Sequence, residues 1–241
     1  MILSGWLVYL LLLLVAYLLG SFPTGYLAAR ILKGIDIREQ GSGSIGATNV
    51  LRTLGKGPAI VVLLVDAAKG AVAIALAHLA FSFAQGEVLS LPWLVALAGL
   101  AAIFGHSWPV WLNFKGGKSV ATSLGILLAM SWQVGLGCFG VFAVFLAISR
   151  IVSLSSIAAA IAVSLLMIFL HQPLPYQLFA IAAGVYVIWR HRSNIARLIA
   201  GTEPQIGQKL TTEPEAVDSS QWTVDSGQWT VDSGRWTDSF W

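Results

Sequence analysis

Residues 7–20 read LVYLLLLLVAYLLG and contain no charged side chain. They belong to a longer apolar run, residues 6–31, which exceeds the length of about 20 residues that an α-helix needs to cross a bilayer. No basic residue precedes this run and no clear small-x-small site follows it. We therefore expect it to stay in the protein as a membrane span rather than to be cleaved as a signal peptide.

The composition of the whole chain also favours lipid as the solvent. Of the 241 residues, 57% are hydrophobic and 10% are charged, against about 25% charged in an ordinary soluble domain. Six more apolar runs follow the first, at 57–83, 91–112, 119–130, 132–148, 151–170 and 175–190. These runs predict an all-α polytopic integral membrane protein with about seven transmembrane helices, the fourth and seventh of them short.

The connections between these runs alternate between ones with and ones without lysine and arginine. Basic residues occur in 30–56 and 113–118 and at Arg150, Arg190, Arg192 and Arg197, whereas the connections near 84–90, 131–133 and 171–175 have none. Because basic loops stay in the cytoplasm, we expect the N-terminus outside and the C-terminus in the cytoplasm. The net charge of +3 then belongs to a membrane face, and nucleic-acid binding, which requires a solvated basic stripe, is disfavoured.

The polar residues form three groups, all on the predicted cytoplasmic side. The first, GSGSIGATNVLR at residues 41–52, offers glycine backbone N–H groups and side-chain donors to an anion, and an arginine that can bind an oxyanion with two hydrogen bonds. Its candidate binding residues are Gly41, Ser42, Gly43, Asn49 and Arg52. The alternative is a flexible connector between two spans.

The second group is GHSWPVWLNFKGGKSVAT, residues 105–122. Gly116, Gly117 and Lys118 precede Ser119, a good N-cap for the next apolar run, so free N–H groups and the helix dipole would favour a phosphate. The string is similar to the end of a Walker A loop, but the first glycine of that motif would fall on Leu112. The alternative is that the lysines only anchor the loop at the membrane surface.

The third group is RHRSNIARLIAGTE, residues 190–203. His191, Asn194 and Arg197 follow each other at intervals of three and share one helical face. His191 and Asn194 are site candidates, and Glu203 is expected to pair with a cation and hold the segment in place.

Several other polar residues have simpler interpretations. We interpret Arg190 and Arg192 as membrane-surface anchors, and His106 as a structural residue. Asp66 and Lys69, three residues apart inside an apolar run, are either a functional pair or a structural one.

The chain lacks the residue sets of several enzyme classes. No Asp, Glu and His residues have metal-ligand spacing, no G-x-S-x-G elbow is present, and the single cysteine, Cys138, cannot form an internal disulfide. What remains is direct transfer between two bound substrates, at least one anionic and at least one apolar. A small anion transporter is the alternative from another class.

The three groups together resemble the three motifs of the bacterial acyl-phosphate:glycerol-3-phosphate acyltransferases, the PlsY family. The resemblance covers roughly residues 5–203 and keeps the order of the motifs. The first motif usually has asparagine where this chain has Ser44, which still donates a hydrogen bond.

The resemblance implies an enzyme of the bacterial inner membrane, with its site on the cytoplasmic side and no cofactor. It would transfer a fatty acyl group from acyl phosphate to the 1-hydroxyl of glycerol 3-phosphate and form lysophosphatidic acid, the first step of phospholipid synthesis. By carry-over, Ser42, Arg52, Lys118, His191 and Asn194 form the catalytic site. Glycines of the second motif receive acyl phosphate, Ser156 assists at the phosphate pocket, and Glu203 is structural. Either His191 or a substrate phosphate is the general base.

The last stretch has a different character. QWTVDSGQWTVDSGRWTDSFW repeats a seven-residue unit with Trp222, Trp229 and Trp236 at matching positions. We therefore divide the chain into a membrane-embedded acyltransferase domain, 1–203, and a cytoplasmic tail, 204–241, predicted to be disordered because it cannot bury a core. The alternative is a tail whose tryptophans dock on a protein partner.

Overall fold

The computed structural model describes residues 2–84, 89–208, 224–225 and 228–229. The chain forms two compact units, Met1–Gln208 and Lys209–Trp241. In the second unit, the described residues are two short antiparallel strands, Val224–Asp225 and Gln228–Trp229, with Val224 opposite Trp229. The rest of the predicted tail beyond residue 208 lies outside the described residues, as does its expected docking role.

Helices are the regular secondary structure of the described part of the first unit, as the apolar runs predict. Residues 2–84 and 89–208 contain ten α-helices: α1 Ile2–Ser21, α2 Thr24–Lys33, α3 Ala47–Leu54, α4 Lys56–Phe83, α5 Leu91–Ser107, α6 Val120–Met130, α7 Trp132–Ser149, α8 Val152–Phe169, α9 Leu174–Arg190 and α10 Arg192–Ile199. Short 3-10 turns occupy Ile37–Glu39 and Val110–Leu112.

Five stretches of the described chain are long and apolar enough to cross a membrane. They are Gly5–Lys33, Lys56–Phe83, Leu91–Leu112, Trp132–Ser149 and Val152–Phe169. Helix α6, with 11 residues, and helix α9, with 17, are shorter. These are the fourth and seventh predicted helices, and a short helix is tolerated where it lines a cavity inside the protein.

The first apolar run is not one continuous helix, as the sequence suggested, but breaks between α1 and α2. Pro23 has no backbone N–H and disfavours helical geometry at Phe22. The ammonium of Lys69 donates to the carbonyl oxygen of Phe22 at 3.1 Å. Lys69 also pairs with Asp66 at 2.9 Å, and Asp66 accepts a hydrogen bond from Thr24 at 3.1 Å. This geometry supports the structural interpretation of the Asp66–Lys69 pair, which stabilises the break.

Two helix pairs approach so closely that only glycine fits at the contact. On the α1–α5 pair, a Cβ added at Gly20 would meet the Ala102 carbonyl, and one at Gly105 would meet the Tyr17 carbonyl. On the α4–α6 pair, Gly70 faces Thr122 and Gly125 faces Ala67 in the same reciprocal manner. Small residues that allow close backbone approach are the usual means of packing helices in lipid. The second pair fixes α6, whose first residues line the site described below.

Replacing Gly125 by alanine is expected to lower the free energy of unfolding, because the new Cβ would overlap the Ala67 carbonyl and overpacking costs about 1–3 kcal/mol. The matched control is Gly140→Ala in α7, where nothing lies within 4 Å of an added Cβ. Helix propensity favours alanine there by about 1 kcal/mol. Thermal unfolding in detergent should show a lower melting temperature only for Gly125→Ala; equal melting temperatures for the two variants would contradict the packing described.

Candidate active site

All three predicted polar groups reach one cavity of about 250 Å³. Its walls come from α3 and the loop before it, from α6, α7, α8 and α9, and from the α9–α10 junction, with Asp66 of α4 and His106 of α5 also reaching it. The predicted site residues that line it are Ser42, Asn49, Arg52, Lys118, Ser156, His191, Asn194 and Glu203. Residues as far apart in sequence as 42 and 203 thus meet in one place.

The carboxylate of Glu203 holds the centre of a buried hydrogen-bond network. It accepts from Asn194 at 2.6 Å and from Ser153 at 2.7 Å through one oxygen, and from Arg197 at 2.7 Å through the other. Burial raises the pKa of Glu203, but the three hydrogen bonds outweigh burial and the net effect lowers that pKa. Glu203 is therefore ionised at neutral pH and joins α8 to α10 through these contacts.

Lys118 continues this network into the cavity. Its ammonium donates to the side-chain oxygen of Asn194, whose amide nitrogen donates in turn to Glu203. Burial lowers the pKa of Lys118 to about 8, against the opposing effect of Glu203. The ammonium is still mostly charged at pH 7. Arg52 adds a second cation to the cavity wall and donates to the Pro204 carbonyl at 3.3 Å.

His191 is buried at the junction of α9 and α10. Its Nδ1 lies 2.8 Å from the carbonyl oxygen of Val187, and because a carbonyl only accepts, Nδ1 carries the proton. Burial lowers the pKa of His191 to about 4, so the ring is neutral at pH 7 and Nε2 keeps its lone pair. A neutral imidazole in this tautomer can accept a hydrogen bond or a proton from a bound hydroxyl.

The glycines of the second group do not form the expected anion cradle. The Gly116 N–H donates to the Ser107 carbonyl at 3.2 Å, and the Gly117 N–H donates to the His106 carbonyl at 3.1 Å. Neither N–H is free for a phosphate, and neither glycine lines the main cavity. Glycine is required at 117 because an added Cβ would overlap the His106 ring.

Ser119 also differs from its predicted role as a helix cap. Its backbone has φ of 62°, and its side chain makes no capping hydrogen bond. The hydroxyl instead contacts the Ser107 hydroxyl at 2.6 Å and donates to the Ile103 carbonyl at 2.9 Å. The start of α6 nevertheless lines the cavity through Ser119, Val120 and Ala121, so the positive end of this helix dipole faces the site.

In the first group, the side chain of Asn49 lines the cavity and also holds the preceding loop together. Its amide nitrogen lies within 3.1 Å of the carbonyl oxygens of Ile37, Gln40 and Ser44, and its oxygen accepts from the Ser42 N–H at 3.1 Å. The residue is 1% exposed, and these hydrogen bonds join it to four positions of the loop.

Gly41 and Gly43 serve the same loop. Their φ angles of 55° and 67° lie in the left-handed region that glycine adopts without strain, and the Gly43 N–H donates to Gln40. Neither lines the main cavity; Gly43 and Gly116 line an adjacent polar cleft together with Lys115 and Arg190. The two glycines thus shape the loop that presents Ser42 and Arg52.

The sequence reasoning missed the apolar part of the cavity. Helices α6 to α9 contribute Leu124, Leu127, Phe139, Phe142, Ala159, Ala160, Val163, Phe179, Ala180 and Ala183 to its walls. The buried Cys138 also lies in this wall. The one available signal was the run of alanines in α8 and α9, because small side chains leave room between packed helices.

Within residues 2–84 and 89–208, no group of three or more His, Cys, Asp or Glu side chains lies together as the ligands of a metal ion would.

The chain is similar in sequence and structure to proteins of a known family. The family model for glycerol-3-phosphate acyltransferase matches residues 10–201. A glycerol-3-phosphate acyltransferase of Nostoc sp. is 69% identical over 211 residues, covering 84% of this chain and 93% of the relative. The enzyme of Trichodesmium erythraeum is 61% identical over 212 residues, covering 83% and 93%.

Two solved structures of PlsY, described as an integral membrane glycerol 3-phosphate acyltransferase, have a similar fold. The glycerol 3-phosphate form is 41% identical with a TM-score of 0.75, over 83% of this chain and 96% of that one. The lysophosphatidic acid form is 40% identical with a TM-score of 0.73, over 83% and 95%. The chain therefore belongs to the glycerol-3-phosphate acyltransferase family.

Proposed function

We propose that the chain transfers a fatty acyl group from acyl phosphate to the 1-hydroxyl of glycerol 3-phosphate, forming lysophosphatidic acid and phosphate without a cofactor. The observation that carries this proposal is the composition of the cavity. One end holds Arg52, Lys118 and the start of α6, which favour phosphate groups, and the walls beyond are apolar. Such a cavity suits a phosphate head joined to an alkyl chain. The forms of the related PlsY structures, with glycerol 3-phosphate and with lysophosphatidic acid, support the acceptor and the product.

The proposed reaction is a single displacement. The 1-oxygen of glycerol 3-phosphate attacks the acyl carbonyl carbon, a new ester C–O bond forms, and the C–O bond to phosphate breaks. Lys118 and Arg52 stabilise the negative charge on the departing phosphate. Acyl phosphate is a mixed anhydride with a good leaving group, so holding both reactants in line supplies most of what catalysis requires.

The proton of the attacking hydroxyl has two candidate acceptors. The unprotonated Nε2 of His191 can take it, or an oxygen of a substrate phosphate can take it while His191 only orients the hydroxyl. The hydrogen bond from Nδ1 to Val187 serves both assignments, since it fixes the ring and leaves Nε2 as the acceptor.

We further propose seven spans, an outside N-terminus and a site on the cytoplasmic side of the bacterial inner membrane. Contacts between the basic segments support this arrangement. Arg52 donates to the Pro204 carbonyl, the Ile206 N–H donates to the Arg150 carbonyl at 2.8 Å, and Arg190 donates to Gly116. The basic connections are thus joined at one end of the bundle, where positive-inside placement puts the cytoplasm.

The direct test is an assay of the full-length protein in detergent with palmitoyl phosphate, with and without glycerol 3-phosphate. We expect phosphate release that depends on the acceptor and equals the lysophosphatidic acid formed. A transporter would release no acceptor-dependent phosphate, and that outcome would refute the proposed reaction.

The pH dependence follows from Lys118. With a pKa lowered to about 8 by burial, the ammonium loses its proton as pH rises through that value, so kcat/KM should fall on the alkaline side with a midpoint near pH 8. Lys118→Arg stays charged at all accessible pH values, so whatever activity it retains should lack this alkaline fall. The same alkaline fall of kcat/KM in both enzymes would show that Lys118 does not cause it. Rates should be corrected for spontaneous hydrolysis of palmitoyl phosphate.

Replacing His191 by glutamine distinguishes the two proton acceptors. If His191 is the base, kcat should fall by roughly 10²–10⁴-fold, because the amide cannot take the proton. If a substrate phosphate is the base, kcat should stay close to wild type and only KM for glycerol 3-phosphate should rise. Steady-state kinetics with acceptor and donor varied separately measure the difference, and an unchanged kcat and KM would contradict both assignments.

A further inference from the structure

We propose that Arg190 is a positioning residue for acyl transfer, holding the Gly116–Gly117 turn so that Lys118 faces the cavity beside His191. The inference rests on the proposed function and adds a residue to it. From the sequence alone, Arg190 was interpreted as a membrane-surface anchor, and the structure gives it a different environment.

The guanidinium of Arg190 contacts the backbone immediately before Lys118. Its Nη2 donates to the Gly117 carbonyl at 2.7 Å and to the Gly116 carbonyl at 3.2 Å. Its Nε is buried and has no hydrogen-bond partner among the described residues. Arg192, two positions later, is exposed and stacks over the Trp189 ring at 4.9 Å, as a surface anchor would. Arg190 therefore contacts the backbone next to Lys118, whereas Arg192 makes a surface contact.

The turn that Arg190 contacts is held from both sides. Its N–H groups donate to the end of α5, at His106 and Ser107, and its carbonyls accept from Arg190 at the end of α9. Removing Arg190 would leave the turn attached only through its N–H groups, to the end of α5. The half-buried carbonyls of the turn would lose their charged donor.

The same segment contains backbone conformations that persist only where surrounding contacts stabilise them. Three residues of this segment have φ angles in the left-handed region, which residues other than glycine rarely adopt. The angles are 51° at Asn113, 60° at Phe114 and 62° at Ser119. Such conformations persist where surrounding contacts determine them. Arg190 supplies two of those contacts directly next to Lys118.

Arg190 also joins the two halves of the site. It is adjacent in sequence to His191 and contacts the residue before Lys118, while Lys118 donates to Asn194 on α10. A shift of the turn would therefore move the ammonium relative to the His191 ring. Displacements of about 1 Å at a reacting centre can cost on the order of 10²-fold in rate.

The charge of Arg190 has a separate, measurable effect. Burial has the largest effect on the pKa of Lys118 and lowers it. Glu203 raises that pKa, and the positive charges of Arg197, Arg190 and Arg52 lower it. Removing the charge at position 190 should therefore raise the pKa of Lys118. The alkaline fall in activity should then move to higher pH.

The experiment compares Arg190→Gln with Arg192→Gln in the full-length enzyme, assayed with palmitoyl phosphate and glycerol 3-phosphate. We expect Arg190→Gln to lower kcat by about 10–100-fold and to move the alkaline midpoint upward, with a melting temperature that shows a folded protein. Arg192→Gln should keep kcat within about twofold of wild type, since it only loses a surface contact, and should keep the midpoint.

Arg190→Lys separates position from charge. One ammonium keeps the charge but lacks the planar fork that reaches both carbonyls, so kcat should fall by at least about threefold with the midpoint unchanged. This variant also decides the case if Arg190→Gln does not fold. A wild-type kcat in Arg190→Lys, or a fall in kcat equal for Arg190→Gln and Arg192→Gln, would overturn the positioning role. Failure of the wild-type enzyme to form lysophosphatidic acid would instead refute the proposed reaction.

Discussion

The site depends on the buried ion network that joins Lys118, Asn194 and Glu203. A carboxylate that leaves water is tolerated only with charged or hydrogen-bonded partners, and Glu203 obtains them from Ser153, Asn194 and Arg197. These partners lie on α8 and α10. Asn194 also accepts a hydrogen bond from Lys118, which precedes α6. Arg52 reaches the neighbouring Pro204 carbonyl. Three separated segments are thereby drawn around one carboxylate.

This arrangement explains why the cavity has one polar end and one apolar end. The network lies at the helix ends, where the polar segments meet, and the walls beyond it are the faces of α6 to α9 that pack against each other inside the bundle. Reciprocal glycine contacts hold α6 close to α4, which fixes the wall that carries Lys118 at its start.

The helices and the residues of the polar end could be predicted from sequence because their signals are local. Apolar runs predicted the helices, and the two short ones, α6 and α9, were anticipated from run length. His191, Asn194 and Glu203 were found from their spacing and charge. The predictions that differ from the structure concern backbone groups and side chains whose hydrogen-bond partner lies far away in the sequence. The N–H of Gly117 bonds to His106, Ser119 bonds to Ile103, and Arg190 bonds to Gly116, and no local pattern contains these pairings. The apolar wall was missed for the same reason, since a cavity is a property of four helices together.

We expect donor and acceptor to occupy the cavity together, with the acyl group passing directly between them. Initial-rate kinetics with palmitoyl phosphate and glycerol 3-phosphate varied against each other distinguish this direct transfer from a covalent route. Direct transfer requires a ternary complex, so the double-reciprocal lines should intersect. Parallel lines, together with a burst of phosphate release in the absence of acceptor, would show a covalent acyl-enzyme and would contradict it.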